Sequence, residues 1–183
     1  TTGDVLNNQQ QQALRKFIQS GKGFVGIHSA SDTEKSWHWY QKLIGRTFII
    51  HPPVQTALIS VLDSGFPGMH AFKDKQLWTD ELYEFSEPTV EGLNYLLSVN
   101  ENSYNPEAKW EAVSGNGMGG FHPIAWFHYF DGGRSFYTSL GHMAATYDSE
   151  TFQWHLFGGI YWAATGKGVK KLSLPMEQQG DSD

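Results

Sequence analysis

The 183-residue chain contains no cysteine, which excludes disulfide bonds, cysteine-ligated zinc sites and cysteine nucleophiles. Basic residues are also few, because 13 Lys and Arg stand against 19 Asp and Glu and give a net charge of −6. Binding to nucleic acid usually depends on a surface patch of Lys and Arg that attracts the phosphate backbone. This chain has no such run of basic residues, so we expect no nucleic-acid partner.

Long apolar runs are missing as well. No stretch of about 18 consecutive apolar residues occurs, so the sequence predicts no membrane-spanning segment and no membrane partner. The chain opens on Thr1 and Thr2 without a Met or a secretory signal, which indicates a processed or truncated N-terminus. The compartment stays open between cytoplasmic and periplasmic or secreted.

Aromatic residues are plentiful, with 7 Trp, 8 Tyr and 12 Phe. Most such rings build a core, but exposed ones can bind the apolar faces of ligands. The composition is that of a folded protein, and its length predicts a single domain over residues 1–176 with a polar tail at 177–183.

The first part of the chain has the pattern of an α/β protein. Asn7 and Gln10 form a capping-box signal for a helix over residues 8–20. Residues 23–27 are uniformly apolar, which is typical of a strand buried on both faces in a parallel sheet. A helix leading into such a strand is half of a βαβ unit.

Further elements follow from periodicity and turn signals. A second helix is predicted over 34–44, a long loop over 101–121, and a last helix capped by Ser149. Asp131-Gly132-Gly133 predicts a hairpin between residues 124–130 and 134–140. The strand candidates are 55–62, 79–85, 92–99, 123–130 and 134–140.

His28 lies directly after the apolar run, where ligands bind in doubly wound sheets. Small residues follow it and allow the tight turn of a nucleophile elbow, with His in place of Ser or Cys. An imidazole there can act as a base or a metal ligand, and Asp32 can orient it. The alternative is a structural histidine beside a helix-capping Asp32.

His142 follows Gly141 at the end of another predicted strand, so we expect His28 and His142 to converge at one edge of the sheet. Two unrelated surface histidines are the alternative. Strand alternation sends Asp80 and Glu81 to opposite faces, and we assign Glu81 to the site.

His51 and His122 each precede a proline, a weaker signal that also fits a rigid turn. Histidines beside carboxylates can bind zinc, nickel or manganese. No H-x-x-x-H or H-E-x-x-H spacing occurs, so a divalent metal is a weak expectation, with His28, His51 and His142 as its candidate ligands.

Several stretches, in order along nearly the whole chain, resemble the ThuA-like (trehalose utilisation) domain family. They include residues 2–6, 23–30, Trp37 to Tyr40, Phe48 to Pro52, Asp80 to Tyr83, 122–126, Gly133 to Tyr137 and 140–142. The resemblance implies a flavodoxin-like, doubly wound, mostly parallel sheet, as in class I glutamine amidotransferases. It places His28 and His142 where amidotransferases carry Cys and His, so without Cys glutaminase chemistry is excluded.

The resemblance also implies a small-molecule carbohydrate, a sugar or keto-sugar derivative, as substrate. We expect a hydrolase, lyase or isomerase that uses His28, His142, Asp32 and Glu81 for acid–base or metal-assisted chemistry. The expected substrate contacts are Trp37, Tyr40, His51, His122, Trp126 and Arg134. A non-catalytic sugar-binding or regulatory module and a structural subunit are the alternatives.

Members of this family usually begin with a strand and one or two βα units ahead of the segment that starts this chain. The sheet is therefore expected to be incomplete beside residues 23–27. Unpaired backbone groups of a central strand are costly when buried. We expect another copy, an exchanged segment or a lost N-terminal region to complete this edge, through a homo-oligomer or strand exchange.

Overall fold

The computed structural model describes residues 2–169, so the tail expected at 177–183 lies outside the described residues. The helices are α1 (Asn8–Gln19), α2 (His38–Ile44) and α3 (Glu150–Thr165). The strands are β1 (Gly23–Ile27), β2 (Phe48–Ile50), β3 (Gln55–Val61), β4 (Lys75–Asp80), β5 (Glu84–Phe85), β6 (Asn94–Asn100), β7 (Glu107–Trp110), β8 (Val113–Asn116), β9 (Pro123–Phe130) and β10 (Gly133–Thr138). Among the described residues no helix combines the length and apolarity that a membrane crossing requires.

The main sheet has six strands in the order β1-β10-β9-β6-β3-β4. Only β1 and β10 pair in parallel, and the other four pairings are antiparallel. The expected flavodoxin-like, doubly wound, mostly parallel sheet is therefore wrong. Parallel neighbours need long crossovers, usually through a helix, and the described residues 45–149 contain no α-helix.

The apolar run of β1 has a different cause from the one expected. β1 is an edge strand that pairs with β10, and within residues 2–169 no strand occupies its other edge. Helices cover both of its faces. Phe24 packs in a cluster with Ile18 of α1 and Tyr40 of α2, and Val25 packs on the cluster that contains Trp162 of α3. Only Gly26 of β1 is buried and its other residues are half-buried, so the completion of the open edge by another segment or another copy stays a prediction.

Most predicted elements are present. The Asn7–Gln10 capping box opens α1, and the 131–133 hairpin joins β9 to β10 with Gly133 opposite Phe130. The strand expected at 79–85 is split between β4 and β5. The segment at 101–121 is not one long loop, because β7 and β8 form a hairpin there. Ser149 precedes α3, but its side chain makes no capping hydrogen bond.

A buried carboxylate joins the end of β4 to the turn that follows β10. Asp80 is fully buried, and its Oδ1 accepts from the backbone N–H groups of Glu81 and His142, each at 3.0 Å. Its Oδ2 accepts from the backbone of Gly141 at 2.9 Å and from the Thr146 hydroxyl at 3.3 Å. Such charge-assisted bonds compensate for the burial of the charge.

We predict that Asp80→Asn lowers the free energy of unfolding by about 2–3 kcal/mol, because the amide points N–H groups at backbone N–H donors that cannot turn away. Urea unfolding measures the change. Asp74→Asn is the matched control, because Asp74 is exposed. Equal stability of the two variants would contradict this role for Asp80.

His155 of α3 is fully buried among Phe72, Phe136 and Phe152, and neither ring nitrogen has a hydrogen-bond partner among the described residues. Burial lowers its pKa to about 3. The unfolded chain protonates this imidazole below its ordinary pKa of about 6.5, whereas the folded chain keeps it neutral. The lowered pKa therefore costs no stability at neutral pH, and stability is lost as the pH falls from about 6.5 towards 3.

We predict that His155→Leu flattens this acid dependence. Each buried neutral histidine costs about 1.4 kcal/mol per pH unit below its unfolded pKa, so the variant should lose about 2 kcal/mol less than the wild type between pH 7 and pH 5. His128, whose pKa burial lowers to about 4, keeps its own share in both proteins. Urea midpoints at the two pH values test this, with exposed His38→Leu as control; an unchanged pH dependence in His155→Leu would refute it.

Candidate functional site

Three polar side chains meet at one end of the main sheet. His28 follows β1, Glu81 follows β4, and His142 lies in the turn after β10. Parallel pairing aligns the end of β1 with that of β10, where Ile27 lies beside Thr138. The expected convergence of the two histidines is present, with ring centroids 5.3 Å apart.

Glu81 is the centre of this cluster. Its Oε2 lies 3.2 Å from Nε2 of His28 and 3.4 Å from Nε2 of His51, which follows β2. Its Oε1 lies 3.1 Å from Nδ1 of His142. The Glu81 side chain is 11% exposed and that of His142 is 42% exposed, so the cluster opens to solvent on the His142 side.

A hydrogen bond to the backbone of Ser139 fixes the orientation of the His28 ring. Its Nδ1 donates to the carbonyl oxygen of Ser139 at 2.8 Å, so in the neutral ring Nε2 carries the lone pair. Burial lowers the pKa of His28, although the Ser139 bond and the charges of Glu81 and Asp80 oppose this. The backbone of His28 is left-handed, with φ of 51°, a conformation that non-glycine residues rarely adopt outside sites under structural constraint.

Tyr83 completes the cluster. Its hydroxyl lies 2.7 Å from Nε2 of His28 and donates to it. Burial, followed by the negative charge of Glu81, raises the pKa of this hydroxyl well above its ordinary value, so it stays protonated. Tyr83 is therefore a proton donor held against the lone pair of His28.

His51 connects the cluster to an exposed aromatic ring. Its Nδ1 lies 2.8 Å from the carbonyl oxygen of Pro52, and its ring meets Trp110 edge-on at 4.7 Å. Trp110 is 43% exposed and also packs on Phe48. An indole face thus lies next to the polar cluster.

His122 lies behind the cluster and is buried. Its Nε2 lies 2.8 Å from the carbonyl oxygen of Tyr83, and its Nδ1 lies 2.6 Å from Glu101 Oε1. Both ring nitrogens are thus occupied by acceptors of the protein. His122 therefore holds the backbone of Tyr83 through this hydrogen bond, and its side chain does not face solvent.

The other expected site residues do not contact Glu81, although Asp32 lies near the cluster. Asp32 pairs with Lys35 at 2.5 Å, close enough to Tyr83 for its charge to raise the pKa of that hydroxyl. Tyr40 and Trp126 are buried, and they donate to the carbonyl oxygens of Ala30 and Ile44.

Trp37 and Arg134 lie towards the opposite end of the sheet from His142. Trp37 stacks on Trp39, which donates to Asp131 in the β9–β10 turn. Arg134, near the start of β10, donates to the carbonyl oxygen of Ala163. The structure therefore brings together His28, Glu81, His142 and His51, with Asp32 nearby.

Sequence reasoning did not assign a role to Tyr83 or Trp110. The signal for Tyr83 was its position two residues after Glu81, within the Asp80 to Tyr83 motif. Trp110 lies in a segment that was expected to be a loop, and the alternation of Glu107, Ala108 and Lys109 before it was the only sign of a strand.

The fold is similar to solved ThuA-like proteins. One from Bacteroides uniformis ATCC 8492 has a TM-score of 0.72 and is 20% identical over 91% of this chain and 69% of its own. One from Parabacteroides merdae ATCC 43184 has a TM-score of 0.70 and is 20% identical over 94% and 71%. A β-galactosidase from Bacillus circulans sp. alkalophilus has a TM-score of 0.52 and is 12% identical over 92% of this chain and 23% of its own.

Identities this low show a shared fold alone. No functionally curated protein sequence matches the chain at a significant level. The model of the ThuA family, described as trehalose utilisation, matches residues 1–163. The expected resemblance is confirmed, and the chain belongs to the ThuA family.

Proposed function

We propose that this protein is an enzyme of carbohydrate utilisation that acts on a sugar or keto-sugar derivative by proton transfer. The family supports the substrate class. The observation that carries the proposal is the contact of one carboxylate, Glu81, with the imidazoles of His28, His51 and His142.

The cluster has the groups that acid–base chemistry needs. His28 Nε2 has a lone pair to accept a proton, and the half-exposed His142 is placed to return one. Glu81 stabilises positive charge on either ring. The backbone carbonyls of Ser139 and Pro52 hold the rings of His28 and His51 in position, which lowers the cost of orienting them during the reaction.

A keto-sugar suits such a pair of groups. A carbonyl makes the hydrogen on the adjacent carbon acidic, so a base can remove it while the electron pair moves onto the carbonyl oxygen. Return of a proton at another atom gives an isomer, and departure of a neighbouring oxygen substituent, which takes up a proton, gives an elimination. These outcomes correspond to the isomerase and lyase classes; attack of water on the glycosidic carbon corresponds to the hydrolase class.

Trp110 supports a sugar as the ligand. The apolar C–H face of a pyranose packs on indole rings, and the hydroxyls of the same ring can bond to polar groups beside it. Trp110 is half exposed and lies against His51, whereas Trp126 is buried. The same arrangement would serve a non-catalytic sugar-binding module, so turnover separates the two functions.

We predict that the wild type converts an oxidised disaccharide, and that His28→Ala and His142→Ala each lower kcat by at least about 100-fold. His142 is half exposed, so its variant should melt within a few degrees of the wild type, whereas His28→Ala loses the hydrogen bonds to Ser139 and Tyr83 and should melt lower. The assay compares trehalose with its keto derivative by product analysis, and exposed His38→Ala is the control. Saturable binding without turnover of either sugar would favour the binding module, and full activity of His28→Ala would refute the proposed site.

We predict that Trp110→Ala raises KM about three- to tenfold with little change in kcat, because it removes a contact worth about 1 kcal/mol that is made equally in the ground and transition states. Trp154→Ala is the matched control, since Trp154 is similarly exposed but lies on α3. If Trp154→Ala raised KM as much as Trp110→Ala, or if neither did, the sugar contact would be elsewhere.

A further inference from the structure

The ligand-forming atoms of His28, Glu81 and His142 all lie within 4.8 Å of one another. Glu81 lies 3.2 Å from His28 Nε2 and 3.1 Å from His142 Nδ1, with His51 Nε2 at 3.4 Å on the same carboxylate. Bonds of about 2.0–2.2 Å to a tetrahedral cation place neighbouring ligand atoms about 3.4 Å apart. The three distances to Glu81 match this spacing, and the atoms of His28, Glu81 and His142 lie close enough together for all three residues to reach one small ion.

The backbone fixes which ring nitrogens face the centre. Nδ1 of His28 lies 2.8 Å from the Ser139 carbonyl oxygen, and Nδ1 of His51 lies 2.8 Å from that of Pro52. A carbonyl oxygen only accepts, so each Nδ1 carries a proton, and in a neutral ring the Nε2 that faces Glu81 carries the lone pair. Metal-binding histidines are oriented in the same way, by a hydrogen bond from the ring nitrogen that does not bind the metal.

The cluster around Glu81 has more hydrogen-bond acceptors than donors, and this excess would be balanced by a positive charge. The lone pair of neutral His28 faces a carboxylate oxygen of Glu81, and the Tyr83 hydroxyl is the neighbour that donates to His28 Nε2. His122 differs from His28, because both of its ring nitrogens face protein acceptors, the Glu101 carboxylate and the Tyr83 carbonyl oxygen, and neither is left to bind a cation. A cation between the lone pairs would satisfy the acceptors of the cluster together, with the Tyr83 hydroxyl turned to Glu81, with which it also interacts.

We propose that His28 Nε2, His142 Nδ1 and the Glu81 carboxylate bind one divalent transition-metal ion, with water completing its coordination. Imidazole nitrogen with one carboxylate suits Zn²⁺ and Ni²⁺, which bind such donors more tightly than Mn²⁺, whereas Mg²⁺ and Ca²⁺ prefer oxygen ligands. The inference rests on the proposed sugar substrate. With a cation bound, His28 Nε2 and His142 Nδ1 would be coordinated and could not transfer protons, so the cation would act in their place by polarising a sugar oxygen.

The test begins with the full chain freed of metal by a chelator and then titrated calorimetrically with Zn²⁺, Ni²⁺, Mn²⁺ and Mg²⁺. We expect one equivalent of Zn²⁺ to bind, Mn²⁺ to bind more weakly and Mg²⁺ not to compete. His142→Ala should weaken Zn²⁺ binding at least about 100-fold, and exposed His38→Ala should leave it unchanged. His142 is half exposed, so its variant is expected to fold; His28→Ala and Glu81→Gln extend the series.

Cobalt(II) gives a second readout, because a four-coordinate nitrogen and oxygen site should develop strong visible absorption that His142→Ala lacks. Absence of one-equivalent Zn²⁺ binding, or equal binding by wild type and His142→Ala, overturns the metal site. Turnover with and without added Zn²⁺ separates the two proposals. Zinc bound at these residues without turnover of any sugar supports the metal site and refutes the proposed function, whereas turnover by a protein that binds no zinc does the reverse.

Discussion

The buried carboxylate of Asp80 is the constraint on which the candidate site depends. β4 and β1 are opposite edges of the six-stranded sheet, yet Asp80 at the end of β4 binds the backbone of Gly141 and His142 after β10. The sheet must curl for these ends to meet. Because Glu81 is the next residue, the same bonds that stabilise the curl bring its side chain to the imidazoles.

The cluster is organised in advance of any ligand. The Ser139 carbonyl fixes the His28 ring, the Pro52 carbonyl fixes the His51 ring, and Asp80 fixes the backbone of His142. Groups that need no rearrangement during a reaction contribute most to catalysis, because their orientation is paid for during folding. The left-handed backbone of His28 fits this interpretation, since such conformations persist only where surrounding contacts require them.

Local signals in the sequence predicted local structure well. The Asn7–Gln10 capping box and the Asp131 to Gly133 turn depend on a few adjacent residues, and both are present. The approach of His28 to His142 was also predictable, because both follow strands that turned out to be parallel neighbours.

Features that depend on contacts between distant parts of the chain were not predictable from the sequence. The apolar pattern of residues 23–27 reflects contacts with helices on both faces, and the neighbour β10 is parallel as expected. The pattern carries no information about the strands beyond β10, which pair in antiparallel fashion, so the mostly parallel sheet was wrongly inferred. Tyr40 and Trp126 look like ligand-binding rings until the core is assembled around them. Trp110 reaches the site only because β7 and β8 form a hairpin beside β2, a contact between segments about 60 residues apart.

A sugar is expected to bind between the Glu81 cluster and the indole of Trp110. A crystal structure of the protein with a keto-disaccharide tests it most directly. We predict sugar density with one ring against Trp110 and an oxygen within hydrogen-bond distance of His28 or His142. Sugar density at the Trp37–Trp39 stack, with the Glu81 cluster in contact with solvent alone, would contradict the account.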